Sequence, residues 1–478
     1  MTKKYDMTIG NDTVAADEYR DILDPATGAV VGRAPVATSA DLDAAVAAAA
    51  DAFAAWSQAD DETRRAACHA IADVLEANAA ELAELVTREQ GKPLKGMGSE
   101  FEIGGCIGWT RYTAEQQLPV KVLQDDENGR IEQHRIPIGV VGSITPWNWP
   151  LLIAIWHIVP AVRTGNTVVI KPSPYTPLGT LRLVELISRA LPPGVLNVIA
   201  GDDELGAALS EHAGIGKLVF TGSIETGKKV MASSAPTLKR LTLELGGNDP
   251  AIVLPDVNPA EVAPGIFWGS FINCGQTCGA IKRLYVHEDI YDEMCAALVD
   301  VGNTVIVGNG LDDDTMMGPL QNEAQYLKVN ELIADARSSG ARILIGGEPV
   351  DGPGYFIPVT LVADIGDGTA LVDQEQFGPV LPIIRYSSVD EAVAAANDTE
   401  FGLDASVWTA DADAGAAIAK RLHAGTVWVN KHADIAPHVP MGGLKCSGMG
   451  VEFGEEGLAA YTEIKIISTP PGTGTGAR

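Results

Sequence analysis

The sequence predicts an α/β protein built from a Rossmann-like doubly wound sheet, a second α/β unit and a small β arm. Three observations carry this reading. From Gly139 onward short β-rich runs alternate with helical ones, and a second alternating series extends from Ala251 to about Asn430. Two strand-like stretches, near 119–136 and 458–468, belong to neither series. Alternation of this kind is the trace that parallel strands joined by helical crossovers leave in a sequence. A chain of 478 residues also exceeds what one hydrophobic core usually supports, so two or three lobes are expected.

The first ordered segments read as helices. Thr38-Ser39 can cap an alanine-rich run from about Asp41 to Trp56. A second run, Asp61 to Gln90, should break near Asn78 and stop at Gly91, with Pro93 just beyond. Val120 and Val122 face Ile131 and Ile136 across the polar turn 125–129, which reads as a long hairpin. The first alternating series then sets strand 140–144 before helix 151–162, and strand 167–171 before helix 178–190. Strand 195–199 and a helix near 204–211 follow, then strand 217–221 and a helix from Ile224. The second series includes buried-looking strands at 251–254, 284–286, 342–345 and 427–430. These signals assign 1–118 with 139–248 to the first lobe and 249–438 to the second. The arm takes 119–138 with 455–470, and residues 471–478 form a disordered tail.

Sixty-three acidic against 34 basic side chains give a formal charge of −29, a surface that repels nucleic acid and anionic lipid. The longest apolar stretch, 149–162, is broken by Pro150, His157 and Pro160 and is too short to span a bilayer. No apolar run follows the N-terminal lysines, so no secretory signal is visible. Six scattered cysteines suit a reducing cytoplasm better than a disulfide scaffold.

Candidate chemistry begins at Cys278, which sits among small residues in Phe271–Ala280. A carbonyl can approach a thiolate there, although an isolated cysteine is more often a small buried filler. Glu244 lies between two leucines before a glycine pair; partial burial would raise its carboxyl toward the range of a general base. Read alone, it is equally a solvent-facing strand residue. Asn148 follows a strand and carries an amide able to donate to an oxyanion, or it is simply a turn residue.

Eight segments in fixed order lift these alternatives: TPWNWP, VVIKPSPYTP, FTGSIETG, LELGGNDP, FINCGQTCGA, EQFGPV, WVN and PMGGLKCSGMG. Together they resemble the aldehyde dehydrogenase superfamily over roughly residues 20–468. The resemblance implies oxidation of a small-molecule aldehyde to the acid. Cys278 would be the nucleophile, Glu244 the base that activates the deacylating water, and Asn148 the oxyanion donor beside the Cys278 N–H. It also implies a nicotinamide cofactor, NAD in the first place with NADP left open. Lys171 and Glu375 would hold the ribose hydroxyls and Phe377 would lie beside the nicotinamide. Gly222, Ser223 and Gly227 would contact the pyrophosphate at a helix N-terminus, and Thr145, Trp147 and Ser173 complete the cofactor side. Residues 1–118 with 139–248 become the NAD(P)-binding domain, 249–438 the catalytic domain, and the arm an oligomerisation element of a homodimer or homotetramer. A CoA-acylating enzyme, or an idle relative kept for binding, are the competing readings. The first has no need of Glu244, and the second would be expected to lose one of Cys278, Glu244 and Asn148.

Some positions depart from the family. Pro174 stands where many NAD-preferring members carry glutamate, removing a ribose acceptor and also a charge that would repel a 2′-phosphate. Cys274 precedes Cys278 by four and reads either as a small buried side chain or as a reversible disulfide partner. Two thiols without a histidine cluster make no zinc site, so no metal ligand is assigned. Met441 replaces a frequent phenylalanine, which either widens the substrate tunnel or repacks it. Trp149, Ile153, Trp156, Thr277 and His432 fall at tunnel positions, and an aromatic lining would suit apolar or aromatic aldehydes; core packing is the other reading of the tryptophans. Arg163 and Lys282 are cations without an assigned place, and His157, His423 and His438 read as structural or surface residues.

Overall fold

The computed structural model describes residues 2–350 and 352–471, so the tail beyond Pro471 lies outside the described residues. The chain opens with strands, which corrects the helical reading of its start: β1 (Met7–Ile9), β2 (Asp12–Val14), β3 (Tyr19–Leu23) and β4 (Val30–Pro35) precede the first helix. Gly10 and Asn11, with φ of 63° and 70°, close the β1–β2 hairpin as a two-residue turn with both central residues left-handed. Strands of three residues carry too little periodicity to be seen in a sequence.

Helices α1 (Ser39–Trp56), α2 (Asp61–Ala77) and α3 (Ala79–Gln90) fall where expected. Thr38 and Asp41 form a reciprocal cap on α1, and Gly91 ends α3 at φ 97°. Helix α4 (Ser99–Glu115), absent from the sequence reading, packs on α2 and on α5 (Pro150–Arg163). The first α/β series supplies β7 (Val140–Ile144), α5, β8 (Thr167–Lys171), α6 (Pro177–Ile187) and β9 (Leu196–Val198). It continues through α7 (Asp203–Glu211), β10 (Lys217–Thr221), α8 (Ile224–Ser234) and β11 (Arg240–Glu244). Hairpin strands β5 (Lys121–Asp126) and β6 (Gly129–Pro137) interrupt the run before β7.

The second series is β12 (Asp249–Val253), α9 (Pro259–Phe271), β13 (Ile281–His287), α10 (Tyr291–Gly302), α11 (Glu323–Ser338), β14 (Arg342–Ile345) and β15 (Thr360–Ala363). Helix α12 (Ala370–Asp373), β16 (Val380–Tyr386), α13 (Val389–Asn397), β17 (Asp404–Trp408), α14 (Ala412–Ala419) and β18 (Thr426–Val429) complete it. The chain closes with β19 (Gly448–Met449), α15 (Gly454–Ala459) and β20 (Thr462–Thr469).

The first sheet has eight strands in the order β19-β11-β10-β7-β8-β9-β1-β2, and its five central strands are parallel. After β9 the chain returns to the other side of β7, so a switch point opens between β7 and β10 at their carboxyl ends, the usual crevice for a ligand in such sheets. The second sheet runs β14-β15-β16-β13-β12-β17-β18, mostly parallel. Strand β14 was expected to be buried; instead it is an antiparallel edge with an exposed Arg342.

Segments expected to form an arm pair with each other in a third sheet, β20-β6-β5, with Thr462 opposite Pro137 and Thr469 opposite Arg130. It shows water Val120, Val122, Leu123, Ile136, Ile464, Ile466 and Ile467. No helix of the described residues is long and apolar enough to cross a membrane.

Backbone bonds stitch the two α/β units together. The Leu94 N–H donates to the Gly310 carbonyl at 2.8 Å and the Tyr355 N–H to that of Pro25 at 3.0 Å. Gln321 Nε2 donates to the carbonyls of Glu89 and Tyr175 at 3.1 and 3.2 Å. A Cβ added at Gly318 would lie 2.0 Å from the Gly91 carbonyl oxygen, so the two backbones are in direct contact.

Candidate active site

The switch point is a cavity of roughly 600 Å³, large enough for a dinucleotide's adenosine half. Thr145 and Trp147 past β7, Lys171 and Ser173 at the end of β8, and Gly222 and Ser223 past β10 all line it. Thr145 Oγ1 is buried without a partner, and Lys171 Nζ has only the Pro172 carbonyl at 3.2 Å. Burial pulls the Lys171 amine down to about 8 against the opposing pull of Asp203 and Asp202. Ser223 caps α8 by accepting from the Thr226 N–H, which leaves other first-turn N–H groups to meet an anion. Gly227 is buried one turn along α8 against Leu245 and does not line the cavity. Spare donors, a spare acceptor and a helix N-terminus fit a pyridine nucleotide. Asp203, Glu204, Glu211 and Lys229 also line this cavity, and no motif pointed to them.

A second cavity, about 230 Å³, adjoins the first where the two sheets meet. Asn148, Cys278, Glu375 and Phe377 line it together, with Trp147, Gly222 and Ser223 shared between the cavities. Phe377 packs edge-on to Trp147 with centroids 5.4 Å apart. Glu375 accepts from the Gly247 N–H at 3.2 Å, and burial lifts its carboxyl to about 7 although Lys282 and that N–H oppose the rise.

Cys278 follows a tight segment in which Asn273, Cys274 and Gly275 all take left-handed φ, 52°, 59° and 71°. Two non-glycine residues in that region store backbone strain, so the surroundings must hold them. Asn273 Nδ2 reaches the carbonyls of Asn148 and Gln276 at 2.8 and 3.2 Å. Gln276 Nε2 returns to the Asn273 carbonyl, and its Oε1 accepts from the Gln321 N–H. Lys282 Nζ donates to the Gly275 carbonyl at 2.7 Å and lies 4.9 Å from the Phe377 ring. This cation, which the sequence left without a place, is a buried prop under the thiol loop. Cys274 and Cys278 are both free thiols, Cys274 buried and Cys278 partly open.

Burial pushes the Cys278 thiol up, and Asp404, Glu375, Glu244 and Asp249 push it further. Two of these carboxyls come from strand register alone. Ala251 pairs with Ser406, which sets Asp249 on β12 opposite Asp404 on β17 under Gly279. Burial holds Asp404 at about 7 and Asp249 well above its ordinary 3.8. Glu244 ends β11, 8% exposed, with Oε1 buried and unpartnered. Burial first, then Glu452 and Asp404, keep its carboxyl well above 4.5. The solvent-facing alternative for Glu244 therefore fails.

Asn148 is buried in the turn between β7 and α5, with Nδ2 donating to the Gln276 carbonyl at 3.0 Å and a second amide N–H to spare. Trp149 Nε1 donates to Thr277 Oγ1 at 3.1 Å, so the residue after Asn148 and the residue before Cys278 touch. Trp149, Ile153 and Trp156 follow one face of α5. Phe101 meets Trp149 in one group and Trp109 meets Trp156 and Phe453 in another, both packed with the core around α5. His432 bonds Ser406 through Nδ1 and packs on Trp428; burial drops it to about 3, so it stays neutral. His157 is buried between Ser143, Thr221 and Glu452, while His423 is exposed and His438 meets Tyr112. Arg163 is a buried brace, bonded to the Ala114 carbonyl and to Asp61.

Fold and site define an α/β enzyme with a crevice at the switch point beside a partly open thiol, a buried amide and a buried carboxyl. The family model described as "Aldehyde dehydrogenase family" matches residues 13–467, and the chain belongs to that family. It is 40% identical over 482 residues to a phenylacetaldehyde dehydrogenase of Pseudomonas fluorescens, covering 97% of this chain and 95% of that one. Among solved structures it is similar to an NAD-dependent aldehyde dehydrogenase from Sinorhizobium meliloti, with TM-score 0.96, 35% identity and coverage of 100% and 96%. An aldehyde dehydrogenase of Bacillus cereus in complex with NAD+ superposes with TM-score 0.95 at 36% identity, covering 98% and 97%.

Proposed function

We propose that the enzyme oxidises an apolar or aromatic aldehyde to its acid with NAD+, through a thioester on Cys278 that water hydrolyses. The observation that carries this reading is the cavity shared by Asn148 and Cys278, adjoining the crevice lined by Lys171 and Gly222. Residues 1–118 with 139–248 would form the cofactor domain and 249–438 the catalytic domain. Lys171, Ser173, Thr145, Trp147, Gly222, Ser223, Glu375 and Phe377 would hold the cofactor, and Gly227 would act through the packing of α8. When bound, it supplies the acceptor for the hydride that turns a thiohemiacetal on Cys278 into a thioester.

The chain's own groups do the rest. Cys278, on the partly open side of the thiol loop, passes its proton to solvent water and adds as the thiolate to the carbonyl carbon. The spare N–H of Asn148 and the Cys278 backbone N–H meet the oxygen as it becomes an alkoxide, a contribution worth about 100- to 1000-fold per donor. Glu244, with an empty acceptor oxygen, takes a proton from water for attack on the thioester. A buried carboxyl beside the thiol also argues against transfer to CoA, which needs no such base. The aromatic groups at Trp149 and at Trp156 support the choice of an apolar or aromatic aldehyde.

Three acids against two lysines in the lining of the larger cavity, Asp203, Glu204 and Glu211 with Lys171 and Lys229, leave it net negative, which supports NAD even with Pro174 in the ribose loop. Assayed by absorbance of the reduced cofactor with phenylacetaldehyde, the enzyme should favour NAD+ over NADP+ in kcat/KM. Pro174→Glu should widen that preference by about tenfold, the effect of roughly 1.4 kcal/mol of added discrimination. No aldehyde turnover with either cofactor would sink the functional reading, and an unchanged ratio would remove Pro174 from cofactor choice.

The arm sheet leaves seven large apolar side chains in water and two open strand edges, a surface that a second copy of this chain would cover. We expect a homodimer or a dimer of dimers with closed symmetry, in the cytoplasm. Light scattering should give a mass of two or four chains of 50.1 kDa; an active monomer would refute the assembly.

A further inference from the structure

Beneath the turn that carries Asn148 lies a buried ion pair with no part in the chemistry described so far. Lys92 follows the left-handed cap of α3, and Glu102 sits in the first turn of α4; both side chains are fully buried. Lys92 Nζ donates to Glu102 Oε2 at 2.6 Å and to the Asn148 carbonyl at 2.8 Å, and it stands 3.6 Å over the Trp149 ring. Glu102 Oε1 accepts the N–H groups of Leu151 and Leu152 at 2.8 and 3.1 Å. Both charges therefore direct their remaining bonds to residues 148–152.

The start of α5 explains why a remote pair is needed. Its N-cap residue is Trp149, whose side chain makes no capping bond and instead reaches Thr277 beside the thiol. The orphan N–H groups must be met from elsewhere, and Glu102 meets two of them across from α4. Lys92 holds the other end of the turn at the Asn148 carbonyl, which also accepts from Asn273 Nδ2 at 2.8 Å. With the carbonyl held on one side and the helix start on the other, the backbone of Asn148 is fixed, and its amide is aimed at the thiol loop. Apolar side chains of equal volume would fill this space at less desolvation cost, so packing alone does not account for two buried charges.

We propose that the Lys92–Glu102 ion pair positions the Asn148 amide for the oxyanion, as two positioning residues and not catalytic ones. This rests on the reading of Asn148 as the oxyanion donor. Misplacement of a catalytic group by about an ångström costs on the order of 100-fold in rate.

The test is a cycle between the pair and Asn148, read on the pre-steady-state rate of NADH formation. The doubly neutral variant Lys92→Met/Glu102→Gln leaves no unpaired buried charge and should stay folded, whereas either single change strands a charge. NAD+ affinity and the rate of Cys278 alkylation should stay within about twofold, while the hydride step falls roughly 10- to 100-fold. Placed on Asn148→Ala, the same double change should cost no more than about threefold further, because the amide it positions is gone. A wild-type hydride step in the doubly neutral variant, or a loss that multiplies in full on Asn148→Ala, would overturn the proposal and leave the Asn148 reading intact. Full activity of Asn148→Ala alone overturns both. Should the double variant not fold, Glu102→Asp replaces it in the cycle. It strands no charge, but one methylene less shortens its reach to Lys92, Leu151 and Leu152, and the same outcomes apply.

Discussion

Cys278→Ala is expected to lose aldehyde oxidation by about 10⁴-fold or more, the scale on which removal of a covalent nucleophile acts. Cofactor affinity should stay within about twofold, because the Cys278 side chain bears on the smaller cavity and is absent from the lining of the larger one. Two measurements on one preparation separate the effects: turnover by absorbance at saturating NAD+, and NAD+ binding by the fluorescence of Trp147, which borders both cavities. A variant that still turned over at more than a trace would show that the thiol is not the nucleophile. Loss of NAD+ binding would show that the loop and the crevice are one structural unit.

Glu244→Gln should arrest the enzyme one step later. The amide keeps the shape of the side chain at the end of β11 but cannot take a proton, and general-base catalysis is worth about 10²- to 10⁴-fold. Mixing with aldehyde and NAD+ should therefore give a burst of reduced cofactor equal to the number of sites, followed by a slow steady state and a trapped acyl-enzyme. The pH dependence has a definite sign. Burial, with Glu452 and Asp404, raises the Glu244 carboxyl, and only the ionised form is a base. Wild-type hydrolysis should therefore rise with pH through that raised pKa, and the variant's slow phase should lack this limb. Full steady-state activity in Glu244→Gln would take the residue out of the mechanism.

The thiol, the carboxyl and the amide were legible because each stands in a short motif of its own that resembles the family's. The alternation after Gly139 was legible because five-residue parallel strands and ten-residue helices each hold a full period. What stayed hidden depends on the third dimension. Lys92 and Glu102 lie 56 and 46 residues before Asn148, and only the packing of α4 on α5 joins them. The facing of Asp249 and Asp404 follows from the register of β12 with β17, 155 residues apart, which no local pattern encodes. β1 and β2, at three residues each, are too short to show alternation, and Gly10-Asn11 between them is a local turn signal. Lys282 was noticed as a cation, but its place under the thiol loop needed the strained turn at 273–275 to be seen.

The seam of hydrogen bonds that joins Leu94 to Gly310, Tyr355 to Pro25 and Gln321 to Glu89 and Tyr175 has a mechanical consequence. A jaw hinged between the two α/β units would have to part the Leu94–Gly310 and Tyr355–Pro25 bonds and both arms of Gln321 on every cycle. Each is worth about 1 kcal/mol net, and exposing several at once multiplies the penalty. The two α/β units are therefore held as one block, and the two adjoining cavities lie within it instead of between parts that open and close.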